Sequence, residues 1–303
     1  MQIIKKTNIN FTSKINLSII FSGTIILAGL ISLALNGGPK LSIDFKGGTM
    51  IAVNYTKEID IDLFRSNLND VIISGQSYDL SSSEIKHFGS KSNVSLRIPI
   101  LENEPENFTT LFIEFLKKTN PDKIPKNKND FILSIEKVGP KIGSELSSKA
   151  IMAILTSLTL ILIYISIRFE FKYAVGAIAA LMHDVIFTLG IFSMVGYEIS
   201  LAVIAAFLTI VGYSLNDTII IFDRIRENAK KVKNITSHNI VNQSINESLS
   251  RTIVTSLTTF FVVLILYLFG GEVIHNFAFA MIVGILIGTY SSVYIASAVL
   301  LRF

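Results

Sequence analysis

Three ionisable side chains, His183, Asp184 and Asp217, fall deep inside stretches that are otherwise apolar, and Arg251 with Thr255 stands at the start of another. Such groups are costly at membrane depth and mark functional sites by default. Asp217 precedes Asp223 by six residues, which is about 9 Å along a helix. Arg251 opens the next apolar stretch from the same side, and Thr255 follows one turn deeper on the same face. The three side chains can therefore meet at one depth. In hydrocarbon a lone carboxyl keeps its proton, whereas a guanidinium beside it favours release. A carboxyl balanced between these influences loads and releases protons, so the chemistry expected of Asp217, Arg251 and Thr255 is proton coupling. The alternative is a static buried ion pair that fixes helix packing, although such pairs are weak evidence for stability.

His183 and Asp184 are adjacent, so their side chains leave a helix about 100° apart and are not expected to form one site by themselves. With Asn216, the neighbour of Asp217, they are candidates for a proton relay. The plainer alternative is a polar contact between helices. His87, His238 and His275 are isolated and read as ordinary loop or interface side chains.

Other chemistries find no support. The chain has no Cys, which excludes disulfides, thiol catalysis and thiolate metal sites. No phosphate-binding loop, HExxH, GxSxG or His-rich metal spacing is present. The expectation is a protein that is not an enzyme, with no metal, no cofactor and no nucleic-acid partner.

The elements that must position these residues follow from composition. Of 303 residues, 50% are hydrophobic and only 17% charged, and the mean hydropathy is +0.56. A soluble domain carries about a quarter charged residues, so this is a membrane protein. Six stretches are long and apolar enough to span a bilayer, roughly 15–35, 147–167, 173–195, 199–222, 252–269 and 276–300. The first exceeds a signal-peptide core in length and ends at a poor cleavage site, Leu35-Asn36-Gly37, so it reads as a retained anchor. Lys5, Lys6 and Lys14 flank it, and Arg168 and Lys172 separate the second and third stretches. Arg224, Arg226, Lys230, Lys231, Lys233 and Arg251 lie between the fourth and fifth, and Arg302 ends the chain. The short loops around Glu198 and Glu272 contain no Lys or Arg. This alternation puts both termini in the cytosol and residues 36–146 outside.

Residues 36–146 hold 14 basic and 15 acidic side chains and all six prolines. They form a water-soluble insert between 1–35 (tail and first helix) and 147–303 (five further helices). Within it, Met50–Tyr55 reads as a strand, and Asp60 caps a helix running through Phe64, Leu68 and Val71. Strands near Ser83–Phe88 and Asn93–Ile98 are joined through Gly89. A helix then presents Leu111, Phe112, Phe115 and Leu116 on one face, before a strand at Phe131–Val138. The order β-α-β-β-α-β is the ferredoxin-like pattern. The fold class expected is thus a six-helix polytopic membrane protein with an inserted α+β ferredoxin-like domain. Between helices four and five, Val241, Ile245 and Leu249 recur at i, i+4 and i+8, which predicts a short amphipathic helix along the inner interface. A solvated connector is the alternative. The basic run around Lys230 and Lys231 suits anionic lipid. Gly284 with Gly288, and Gly176 with Ala180, give small-residue faces for close helix contact.

Several ordered motifs resemble a known family. They are Ile43-Asp44-Phe45-Lys46-Gly47-Gly48-Thr49, Val138-Gly139-Pro140-Lys141-Ile142-Gly143, Arg168-Phe169-Glu170 and His183-Asp184-Val185. Gly212-Tyr213-Ser214-Leu215-Asn216-Asp217-Thr218, Phe222-Asp223-Arg224-Ile225-Arg226-Glu227-Asn228 and Ser250-Arg251-Thr252 through Thr255-Ser256-Leu257-Thr258-Thr259 complete the set. In this the chain resembles the SecF family, the smaller subunits of the bacterial SecD–SecF protein-export complex, within the resistance-nodulation-division superfamily. Ser42 stands where a Gly is common in that family, and Lys46 where a small polar residue often sits. The resemblance implies an accessory subunit of the Sec translocase that uses the proton motive force to assist preprotein translocation across the inner membrane. It implies a SecD-like partner, the SecYEG translocon, YajC and YidC, the translocating preprotein and membrane lipid as partners. It also associates proton passage with Asp217, Arg251 and Thr255. Two rival expectations are a half-transporter exporting a lipid or small hydrophobic molecule, and a passive scaffold.

Overall fold

The computed structural model describes residues 7–81, 83–101, 104–168, 170–231 and 237–302. Lys5, Lys6, Phe169 and Lys233, named above, lie outside the described residues. The chain divides into two compact units, 1–40 with 150–303, and 41–149. The first helix, α1 (Ile15–Leu35), belongs to the former.

The unit 41–149 contains α2 (Ile43–Lys46), β1 (Gly48–Asn54), α3 (Ile61–Ser66), β2 (Val71–Ile73), β3 (Gln76–Tyr78), β4 (Glu84–Phe88), β5 (Ser90–Ile98), α4 (Phe108–Thr119) and β6 (Ile132–Val138). Its main sheet has the order β4-β5-β1-β6, antiparallel throughout. That order, with α3 and α4 as the crossovers, is the ferredoxin-like arrangement expected. Ile51 and Val53 alternate onto the core face opposite Leu96 and Val94, as period-two patterning requires. Helix α4 adds Phe108, Phe112 and Leu116, all buried at i, i+4 and i+8. Tyr55 meets Phe131 edge-to-face at 5.2 Å, and Tyr78 meets Phe108 at 5.3 Å. Asp60 caps α3 as expected, accepting from the amides of Asp62 and Leu63 at 2.9 and 3.1 Å.

One expectation in this unit is corrected. The helix after Asp60 ends at Ser66, and Val71 lies in an additional hairpin, β2–β3. Val71-Ile72-Ile73 is a β-branched run that loses side-chain freedom in a helix. It is followed by Ser74 and Gly75, both at positive φ (53° and 81°), the geometry of a tight hairpin turn.

The chain continues with α5 (Pro140–Arg168), α6 (Phe171–Val195), α7 (Leu201–Lys231), α8 (Ser237–Phe269) and α9 (Glu272–Leu300). Together with α1 these supply six helices long and apolar enough to cross a membrane. In α6, α7 and α9 about half of the apolar window is buried inside the protein (56%, 50% and 56%), against 17%, 11% and 17% in α1, α5 and α8. So α6, α7 and α9 form the centre, and the other three show apolar side chains outward. The central helices touch through small residues. A methyl group on Gly176 would lie 3.0 Å from the Ala296 carbonyl, one on Gly288 would lie 3.0 Å from Ser214 Cβ, and one on Gly284 would overlap Ile210. These are the close contacts that the small-residue spacing predicts.

Two boundaries differ from the sequence reading. Helix α7 runs nine residues past Phe222, and α8 is one continuous helix from Ser237, so no separate interfacial helix precedes it. No glycine or proline interrupts 237–269, and Val241 and Ile245 are buried in the helical core cluster instead of facing a lipid surface. The extended ends of α7 and α8 are joined by Asn228 Nδ2 donating to Ser244 Oγ (3.0 Å) and by Arg224 Nε donating to Glu247 (2.5 Å). A strap formed by residues 7–12 lies on α8. The Ile9 amide donates to Asn246 Oδ1 (2.9 Å), Asn246 Nδ2 donates to the Ile9 carbonyl (2.8 Å), and the Phe11 amide donates to Asn242 Oδ1 (2.7 Å). The Phe11 ring is buried edge-on against Tyr294.

Candidate functional site

The two buried carboxyls, Asp184 and Asp217, are 0% and 1% exposed. Helix α7 carries Ser214, Asp217 and Thr218 within slightly more than one turn, all buried. Side chains three and four residues apart share one side of a helix, so α7 presents a polar stripe to its neighbours. Helix α9 answers it with Thr289, Ser291 and Ser292, next to Gly288 where the backbones draw close.

On one flank of this stripe, Asp217 Oδ2 accepts from Ser256 Oγ of α8 at 3.5 Å, and Ser256 shares a 2.7 Å hydrogen bond with Thr289 Oγ1 of α9. Thr218 Oγ1 donates to Ser292 Oγ at 3.2 Å, and Ser292 Oγ donates to the Gly288 carbonyl at 2.7 Å. Asp217 thus sits where α7, α8 and α9 converge, and among the described residues its carboxyl has this one long hydrogen bond. A buried carboxylate ordinarily gathers several donors. The sparse shell leaves the carboxyl room to change charge without tearing apart a network.

On the other flank, Asp184 of α6 is held firmly. Its Oδ2 accepts from Ser214 Oγ of α7 (2.5 Å) and Ser291 Oγ of α9 (2.8 Å), and its Oδ1 lies 2.9 Å from Nδ1 of His183. This corrects the expectation that His183 and Asp184 do not form one site. The Cα–Cβ bonds diverge, but the His183 side chain folds back so that Nδ1 reaches the neighbouring carboxyl. His183 is 8% exposed, with its ring beside Phe187 and Tyr290.

The other residues singled out from sequence are placed differently. Arg251 is exposed on α8 and forms no ion pair with Asp217 among the described residues. Thr255 is half-buried, and its hydroxyl donates within its own helix to the carbonyls of Arg251 and Thr252 (3.1 and 2.9 Å). Asn216 is exposed. Among the described residues Asp217 therefore has no hydrogen bond or ion pair to Arg251 or Thr255, while the Arg251 charge is near enough to act on the carboxyl. The reason is angular: Thr252 and Ser256 are buried on α8, and Arg251 and Thr255 each precede one of them by a single residue, about 100° around the helix. Ser256, Thr289, Ser214, Ser291 and Ser292 escaped the sequence reading. Their signal was available as hydroxyls at helical spacing beside the glycines of α9 and beside Asp217 on α7.

The family profile described as "Protein export membrane protein SecD/SecF, C-terminal" matches residues 120–303. The chain is 46% identical to the protein translocase subunit SecF of Calditerrivibrio nitroreducens, covering 98% of this chain and 95% of that one. It is 39% identical to the protein translocase subunit SecF of Escherichia coli O157:H7, covering 93% and 83% respectively. Among solved structures it matches a Thermus SecDF, a translocon-associated membrane protein, with TM-score 0.83 and 34% identity over 98% of this chain. It also matches SecDF in a super-membrane-facing form, with TM-score 0.67 and 34% identity. The chain spans 38% and 39% of those two solved chains.

Proposed function

We infer that this chain, which belongs to the SecD/SecF family of protein export membrane proteins, is the SecF-type subunit of a bacterial protein translocase. It is a multi-pass membrane protein of the inner membrane. The basic residues of its short loops support an orientation with both termini in the cytosol and 36–146 in the periplasm. The likeness to part of much longer SecDF chains supports a SecD-like partner supplying the remainder. The SecYEG translocon, the translocating preprotein, YajC, YidC and lipid are further proposed partners.

The single observation that carries the mechanism is a buried, sparsely bonded carboxyl, Asp217, at the convergence of α7, α8 and α9. We propose that Asp217 takes and releases the protons whose passage drives export. In the arrangement described here Arg251 acts on it through charge without a direct ion pair. Loss of the proton would draw the guanidinium of α8 toward the carboxylate of α7, and return of the proton would free it. Thr255 would line the path between them, because it stands one turn from Arg251 on the same side of α8. Rotation of α8 by a fraction of a turn exchanges the Ser256 face for the Arg251–Thr255 face. One charge crossing 100 mV contributes about 2.3 kcal/mol, enough to shift a two-state equilibrium about fifty-fold. That suits a conformational motor acting on a preprotein through the unit 41–149.

The test is preprotein translocation into proton-tight vesicles containing the SecD-like partner and SecYEG, with and without an imposed proton gradient. Asp217→Asn should assemble normally and lose the gradient-dependent gain. Full gradient stimulation in Asp217→Asn overturns the motor and leaves a scaffold.

A further inference from the structure

The proton reading of Asp217 leaves the second buried acid unused, and the hydrogen-bond accounting around it points to a site of its own. Asp184 receives Ser214 from α7, Ser291 from α9 and contact with His183 from its own helix. The other ring nitrogen, Nε2 of His183, is buried and has no hydrogen-bond partner. Every polar atom of the His183 and Asp184 side chains is therefore engaged except this one.

The charged and titratable groups around the pair are few. Helix α1 carries none between Ile15 and Leu35. Helix α9 offers the Tyr290 ring, 6.2 Å from the imidazole, but its hydroxyl donates to the Ser18 carbonyl at 2.7 Å and accepts from Ser22 at 3.1 Å. Helix α9 also bears Tyr294, less than one turn from Ser291 with its ring beside Tyr290, while Glu272 and His275 on α9 and Lys172 and Tyr173 at the start of α6 lie well along their helices from Ser291 and Asp184. Helix α7 contributes Asp217, one turn from Ser214, and Tyr213, the neighbour of Ser214, whose hydroxyl is buried without a hydrogen-bond partner. Among the described residues no Lys or Arg is paired with Asp184.

With a neutral imidazole whose Nδ1–H donates to the carboxylate, the pair carries a net negative charge away from water, with a bare lone pair at Nε2. One added proton cancels that charge, on the imidazole or on the carboxyl with its O–H donating to Nδ1, and in both of these forms an N–H stands at Nε2. An unmet N–H is the smaller penalty of the two, since an uncompensated buried charge costs more. Both forms are imperfect at the same atom, so that atom is where the proton enters and leaves.

We propose that His183 and Asp184 form a second proton-binding site in the helix core, exchanging its proton with water through Nε2 of His183. The ligand is a proton, and its carrier is a water molecule reaching that nitrogen. Ser214 and Ser291 position the carboxyl and tie the site to the helices that also carry Asp217 and Thr289. A change of charge at one acid therefore alters the packing felt by the other, and such coupling is reciprocal. The role of this site in export rests on the Asp217 reading; its existence does not.

The experiment is a pH titration of the full chain with its partner in lipid vesicles, following the protonated-carboxyl infrared band and the 15N resonances of His183. The native protein should show a titration event that Asp217→Asn retains and that both Asp184→Asn and His183→Gln abolish or shift by at least one pH unit, a tenfold change in proton affinity. Ser291→Ala, which removes one hydrogen bond while keeping both titrating groups, should move that event without erasing it. This variant serves if Asp184→Asn fails to fold. If the His183 resonances hold one protonation state across the range and no event responds to these variants, the pair is a static polar anchor and the proposal is overturned. That outcome leaves the Asp217 reading standing. Loss of the Asp217 event alone, with the His183 event intact, would instead defeat the motor and keep the second site.

Discussion

Gly29 of α1 and Gly190 of α6 meet backbone to backbone: a methyl group on Gly29 would lie 2.5 Å from the Cα of Gly190, and one on Gly190 would lie 3.0 Å from the Cα of Gly29. Nothing larger fits without driving the two helices apart. The Ser32 and Ser193 hydroxyls, one turn away, share a hydrogen bond of 2.8 Å across the same seam. We expect Gly29→Leu to lower stability by about 1–3 kcal/mol, the usual penalty of overpacking. Because the chain has no native Cys, a Ser32→Cys/Ser193→Cys pair reports the seam directly. Its crosslinking yield should fall several-fold in the Gly29→Leu background, and an unchanged yield would contradict the contact.

Ser256, and not Thr255, supplies the hydroxyl on Asp217 in this arrangement. At 3.5 Å this bond is weak and contributes no more than about 1 kcal/mol, itself a several-fold effect on an equilibrium. Ser256→Ala should therefore reduce gradient-stimulated translocation several-fold, with gradient-independent translocation preserved. Thr255→Ala should act only if the Arg251 face turns toward α7 during the cycle. Measuring both variants with and without a gradient separates a single-state site from one that alternates.

Glu136 in β6 is held above the ordinary glutamate range by partial burial and by the neighbouring charge of Asp44. A carboxyl whose folded value is raised binds its proton more tightly in the folded state. It favours the fold most fully below the unfolded value of about 4.3, and that contribution is lost as pH rises through the raised value. Glu136→Gln should match the native protein near pH 4 and exceed it at pH 7. The gain is no more than about half a kcal/mol, since the group is only partly buried. Amide exchange along β1 and β6, compared between the two proteins at each pH, reads this out; slower exchange in the native chain at pH 7 would contradict it.

Asn246 closes a paired hydrogen bond with the Ile9 backbone and also accepts from Thr7 at 2.8 Å. Asn246→Ala should free residues 7–9 at a cost of about 1–2 kcal/mol. The Ile9 amide should then exchange at least ten times faster, while the Phe11 amide, held by Asn242, changes less. Equal acceleration at both amides would mean that the strap opens as one piece.

Depth along the helices was legible from sequence, because charge and hydropathy fix where a residue stands between the two ends of a span. Azimuth was not. Thr255 and Ser256 differ by about 1.5 Å in height, but the face of α8 turned to Asp217 is decided by how the small residues of α9 let α7, α8 and α9 close up. The same limit hid the contact between His183 and Asp184, which depends on side-chain torsions more than on helical angle. In the unit 41–149, period-two and period-four patterns revealed four strands and two helices. The β2–β3 hairpin was missed because Leu68 and Val71 continue the helical spacing past the point where the β-branched run takes over.

The strap on α8 has a consequence for biogenesis. Phe11 and its acceptor Asn242 are separated by 231 residues, so at a bacterial elongation rate of about 5–20 residues per second the first helix waits roughly ten to fifty seconds for its anchor to be synthesised. During that interval α1 sits in the bilayer without its clasp on α8, and Gly29 has no Gly190 to lie against until α6 emerges. A newborn chain is thus open at the seam where α1 docks until α6 emerges, and its strap is seated only when the start of α8 has left the ribosome.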